Sequence, residues 1–134
     1  MKVYYAHPMS WYDTFAETED VVALEEAGHE VLNPNQQRYS DEVQRLRSKG
    51  LGHMVMEPFM RAVKECEAVA YRPFKDGRVG AGVAKEVLEA VALGYPVICL
   101  PFTQPDEGGI SHLFELEDVL TIEETRERIR AGAL

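Results

Sequence analysis

The sequence is short of cysteine, of clustered histidine, of long apolar runs and of basic charge, and each shortage removes a class of function. Its two cysteines, Cys66 and Cys99, form no Cys-x-x-Cys pair, so neither a disulfide framework nor a thiolate metal site is expected. His7, His29, His53 and His112 are scattered without the spacing of a zinc or haem motif, and neither a metal nor another cofactor is expected. No run approaches the ~18 apolar residues that cross a bilayer, so a membrane is not an expected partner. The opening Met1-Lys2-Val3-Tyr4-Tyr5 enters a strand-like pattern without the apolar core and cleavage site of a signal peptide, which reads as cytoplasmic. Fourteen Lys and Arg against 23 Asp and Glu give a net charge of −9, which repels a nucleic-acid backbone but leaves room for a small anion bound locally.

What is present is an ordinary globular composition, 46% hydrophobic and 28% charged over 134 residues, the size of one domain spanning residues 1–134 with no internal repeat or linker. Lys2 to Ala6 is β-rich, His7-Pro8-Met9-Ser10 breaks it, and Ser10 with Asp13 resembles a capping box opening a helix to Gly28, with Phe15, Val22, Leu24 and Ala27 apolar. His29 to Leu32 reads as a second strand, stopped by Asn33-Pro34-Asn35. The stretch from Gln36 to Met56 lacks a clear period apart from a short helix over 41–49, which points to a functional loop or lid. A helix follows over about 58–65, a third strand over 68–72, a loop over 73–80, a helix over 81–93 and a fourth strand over 96–100. After a Pro- and Gly-rich loop over 101–109, a short fifth strand is expected within 113–120, and the capping box Thr121-Ile122-Glu123-Glu124 opens a last helix to about Arg130. Apolar strands alternating with helices predict an α/β fold with a doubly wound, mostly parallel five-stranded sheet and helices on both faces, flavodoxin- or Rossmann-like. Ligands of such sheets bind at the carboxyl ends of the strands beside a topological switch point, which joins the turns after strands one and three.

Several residues in those turns carry chemistry. Gly77-Arg78-Val79-Gly80-Ala81-Gly82-Val83 leads into a helix, where small residues admit a ligand to the backbone or simply make a turn. Lys85 stands where a dinucleotide fingerprint needs its third glycine, and no Walker A loop is present. Arg72, Lys75, Arg78 and Lys85 gather there, as a phosphate or carboxylate site requires, or as solvated surface charge. Glu86 borders the apolar face formed by Val83, Val87, Ala90 and Val91, where the helix N-terminus favours its charged, nucleophilic form; a plain helix-dipole partner is the alternative. Tyr4 and Tyr5 point to opposite faces of strand one, so only one reaches the crevice. His7, at the strand end, is placed to bond a substrate or to hold the structure.

Together these segments resemble the nucleoside 2-deoxyribosyltransferases and the related nucleoside 5′-monophosphate N-glycosidases. The resemblance covers residues 1 to about 100 and rests on Tyr4-Tyr5-Ala6-His7-Pro8-Met9, Gly28-His29-Glu30-Val31, Cys66-Glu67-Ala68-Val69-Ala70, Gly82-Val83-Ala84-Lys85-Glu86-Val87 and Ala92-Leu93-Gly94-Tyr95-Pro96-Val97-Ile98. It implies cleavage or transfer at the N-glycosidic bond of a nucleoside or its 5′-monophosphate through a covalent glycosyl-Glu86 intermediate, with Tyr4 as the family's first-strand tyrosine. It implies an anion or sugar site at the Gly82-Val83 backbone, a small nucleoside or nucleotide as partner, and a homo-oligomer; His7, Pro8, Met9, Ser10, Arg78 and Gly80 are the further substrate contacts expected, and the apolar Met54, Met56, Phe59 and Met60 suit either a dimer interface or core packing. His7 replaces the family's usual glycine, Gly80 its aspartate or serine, and Phe59 aligns with its catalytic aspartate, leaving Glu57 and Asp76 as substitute acids. A nucleotide-sensing module that kept the pocket without the chemistry is the alternative, whereas a dinucleotide-dependent reductase fails on the missing third glycine and the missing acid after strand two.

Overall fold

The structure, a computed structural model, describes residues 1–101 and 113–134. Four β-branched, Ala- and Tyr-rich runs form strands β1 (Lys2–Ala6), β2 (Glu30–Leu32), β3 (Ala68–Tyr71) and β4 (Val97–Cys99). They make one all-parallel sheet in the order β2-β1-β3-β4, with Tyr4 beside Leu32 on one side and Val69 on the other. Helices α1 (Phe15–Glu26), α2 (Gln37–Ser48), α3 (Glu57–Lys64), α4 (Ala81–Ala92) and α5 (Ile122–Arg130) connect and follow them in a Rossmann-like α/β arrangement.

Period-two alternation along β1 divides the core. Val3 and Tyr5 join Leu24, Ala68, Ala70, Ile98 and Leu100 on the face that α1 covers, while Tyr4 and Ala6 pack with side chains of α2, α3 and α4 on the other. Because β2 and β3 flank β1 on opposite sides, the chain changes winding direction at β1, and a crevice opens at the carboxyl ends of the strands.

Three expectations are corrected. Among the described residues the sheet has four strands, not five: within 113–120 the backbone makes a 3-10 turn at Leu116–Asp118 and one isolated bridge, Val119 to Val79. The stretch read as a loop holds α2, which begins four residues before the expected helix; its polar composition masks the helical period. The first helix is capped by Thr14, whose hydroxyl accepts the Glu17 N–H, and not by Ser10, because Asp13 takes a left-handed φ of 62° that breaks the chain between them. Its buried face carries Glu17, Asp20 and Leu24, while Phe15 and Val22 are exposed. The remaining elements fall within one or two residues of expectation, and the Thr121/Glu124 capping box is present. Apart from Pro101, the expected 101–109 loop lies outside the described residues.

Candidate functional site

The crevice is a cavity of about 560 Å³ walled by five segments. The turn after β1 contributes His7, Pro8, Met9 and Tyr12; the turn after β2 and helix α2 contribute residues from Pro34 to Arg47; Val55 and Met56 just before α3 and Phe59 within it form a third wall. Gly80, Gly82, Val83 and Glu86 come from the start of α4, and Thr125 and Ile129 from α5.

Glu86 is the one carboxylic acid among the described lining residues. It is the sixth residue of α4, past the first turn where the helix dipole acts, and it is buried. Burial therefore wins over the helix terminus and pushes its pKa up to about 8, partly offset by the hydrogen bond that Tyr4 Oη donates to Glu86 Oε2. The expectation of a carboxylate kept charged by the helix end gives way to a carboxyl that is about one-tenth ionised at pH 7. Tyr4 is fully buried, and desolvation followed by the Glu86 charge holds its hydroxyl protonated, as a donor must be. Tyr12 lines the cavity near Glu86 and is shifted the same way, first by burial and then by Glu86.

On the opposite face of β1, Tyr5 donates to Asp20 Oδ2 at 2.5 Å, and Arg72 grips both Asp20 oxygens at 3.1 Å. The alternation of Tyr4 and Tyr5 thus gives each a carboxylate partner on a different helix, and only Tyr4 faces Glu86.

His7 bounds the cavity, but its side chain is inaccessible and both ring nitrogens are engaged. Nδ1 lies 3.0 Å from the Tyr5 carbonyl, which only accepts, so Nδ1 carries hydrogen; Nε2 lies 2.7 Å from Glu17 Oε2. The ring stacks on Tyr5 at 3.8 Å, and burial lowers its pKa against the pull of Glu17. Asn35 Nδ2 in turn donates to Glu17 Oε1 and to Asp13 Oδ1, so Glu17 ties the turn after β1 to the turn after β2. His7 here acts as a brace between two cavity walls.

Gly80 caps α4 without a side chain, and the Thr125 hydroxyl of α5 accepts the Ala81 N–H at 2.9 Å instead. A Cβ on Gly80 would meet Thr125 Cγ2 at 3.3 Å, a tight contact that obliges Thr125 to shift, so a side chain at position 80 crowds the α5 residue that accepts from Ala81.

Of the other expected site residues, Pro8, Met9, Gly82 and Val83 line the cavity. Ser10 lies outside the wall and donates to the Ala133 carbonyl at 2.5 Å. Arg78 also lies outside and donates to the Asp118 carbonyl at 3.2 Å. Asp76 is exposed, paired with the two terminal nitrogens of Arg128, which hold its pKa down to about 2. Glu57 is exposed at the first turn of α3, also outside the wall. The structure therefore brings neither substitute acid to Glu86. Of the segment expected at an interface or in the core, Met56 and Phe59 line the cavity and Met60 is in the core. Sequence reasoning did not single out Tyr12, Asn35 or Thr125, and it read the α2 wall as part of a functional loop rather than as a helix face; the i, i+3, i+7 spacing of Gln37, Ser40 and Gln44 was the available signal.

Among the described residues no helix is long and apolar enough to cross a membrane, and no three His, Cys, Asp or Glu side chains are grouped to hold a metal ion. No protein-family model and no curated protein matches the chain.

Proposed function

We propose that this protein cleaves the N-glycosidic bond of a nucleoside or its 5′-monophosphate, as a nucleoside 2-deoxyribosyltransferase-like enzyme of doubly wound fold acting in the cytoplasm. The observation that carries the reading is the Tyr4–Glu86 pair, a buried carboxyl with a fixed donor on one oxygen at the wall of a nucleoside-sized cavity. Tyr4 occupies Oε2 and leaves Oε1 for the ligand. Ionised Oε1 attacks the anomeric carbon as the C–N bond breaks, its electron pair departs with the base, and a proton from water neutralises that base. Water, or a second base, then opens the glycosyl ester and restores the Glu86 carboxylate, with an oxocarbenium-like transition state in each step. Burial suits Glu86 to this role because an ionised carboxylate without water is a stronger partner for developing positive charge.

Release of free base from deoxy- and ribonucleosides and their 5′-monophosphates tests the reading. We expect turnover by the parent and a loss of roughly 10³-fold or more in Glu86→Ala. Ligand binding without base release by the parent would overturn it in favour of a sensing module. That second reading draws on one observation: no second carboxyl among the described residues lines the cavity to protonate a leaving base.

A further inference from the structure

The cations that the sequence gathers around the Gly77–Gly80 loop do not line the cavity. Arg72 is committed to Asp20 and Arg78 to a backbone carbonyl, while Lys75 and Lys85 are exposed outside the wall. Basic charge enters the wall instead from α2. Gln37, Ser40, Gln44 and Arg47 stand three, four and three residues apart, one stripe of a helix, and all four line the cavity. Among the described residues the side chains of Ser40, Gln44 and Arg47 have no hydrogen-bond or ion-pair partner; Gln37 is bonded to Asp41.

Among the described lining residues, setting aside His7, whose ring nitrogens are both engaged, and Tyr12 and Tyr39, whose hydroxyls burial keeps protonated, Arg47 and Glu86 are the only side chains that can carry a formal charge. In a chain of net charge −9, an anionic ligand is repelled unless a local cation meets it, and among the described lining residues that cation is Arg47. A guanidinium offers a planar fork of donors that matches two oxygens of a phosphate, and the neighbouring Gln44 amide and Ser40 hydroxyl add neutral polar contacts on the same stripe.

We infer that the α2 wall is an anion subsite in which Arg47 holds the phosphate of a nucleoside 5′-monophosphate, with Gln44 and Ser40 flanking it. The inference rests on the glycosidic reading for the identity of the ligand, but its own claim is the location of the anion contact, on α2 and away from the glycine loop. It makes Arg47 a specificity-determining residue, selecting the monophosphate over the free nucleoside.

The test compares kcat/KM for a 2′-deoxynucleoside 5′-monophosphate with that for the matching nucleoside, in the parent, Arg47→Ala, Arg47→Lys and Arg45→Ala. Arg45 lies on α2 outside the wall and serves as the control for helix charge and folding. The monophosphate-to-nucleoside ratio is expected to fall about tenfold or more in Arg47→Ala, to recover partly in Arg47→Lys, which keeps the charge but loses the fork, and to hold in Arg45→Ala. An unchanged ratio in Arg47→Ala, with base still released, would overturn the inference and leave the glycosidic reading intact. If the parent releases base from neither substrate, the glycosidic reading fails, and calorimetric binding of the same two compounds decides the subsite. Arg47-dependent preference for the monophosphate supports it, and equal or absent binding overturns it.

Discussion

At Glu86 three effects compete, and their order fixes the pH behaviour of the site. Burial raises its pKa, the Tyr4 hydroxyl lowers it by bonding the charged form, and the helix terminus is too far away to matter; the outcome is about 8. A nucleophile must be ionised, so kcat/KM is expected to rise about tenfold per pH unit below pH 8 and then level off. Tyr4→Phe removes the group that favours ionisation, so its rising limb should move to higher pH and its activity at pH 7 should drop; a pH–rate profile of parent and variant checks this, and coincident limbs would contradict it. The pairing of Tyr4 and Tyr5 with opposite faces was legible from strand alternation alone, since a period of two allows nothing else. The engagement of His7 was not, because its partners Glu17 and Asn35 lie on other elements and only folding brings them to it.

At the scale of elements, α4 depends on α5 for its cap. Thr125→Val deletes the hydroxyl that accepts from Ala81 N–H and should cost about 1 kcal/mol, a Tm loss of about 3–6 °C by calorimetry. Gly80→Ser alone brings its Cβ against Thr125 Cγ2, whereas Gly80→Ser with Thr125→Ala frees that space and supplies a local cap, so the double variant should be more stable than the two single effects sum to. Additive effects would show that positions 80 and 125 do not compete for that space. Helices α3, α4 and α5 were readable from Pro58, the glycines around α4 and the Thr121 box, which are local signals. Helix α1 misled because its buried face holds Glu17 and Asp20, which read as surface until Tyr5, His7 and Arg72 are seen to satisfy them. The fifth strand misled because Val119 makes a single bridge, too little pairing to extend the sheet.

For the whole molecule, a carboxyl held near pKa 8 against an ordinary 4.5 links stability to pH in the direction opposite to a salt-bridged acid. Between those values the unfolded chain has lost the proton that the folded chain keeps. The contribution of Glu86 is therefore full below about 4.5, declines by about 1.4 kcal/mol per pH unit above it, and is lost once pH passes about 8. Denaturant titrations of the parent and Glu86→Gln from pH 5 to pH 8 should diverge, the parent losing stability relative to the variant by a few kcal/mol. Parallel curves would place Glu86 in contact with water. The strand order β2-β1-β3-β4 puts this carboxyl at the switch point, where the sequence placed the site; the polar α2 wall that completes the cavity read as a functional loop because its composition hides the helical period. Whether Glu86 forms a bond to the sugar is read most directly from stereochemistry: turnover of a β-nucleoside in dilute methanol, with the methyl glycoside assigned by proton NMR. Two displacements through a Glu86 ester predict the β-anomer, and an α-anomer would contradict the covalent route.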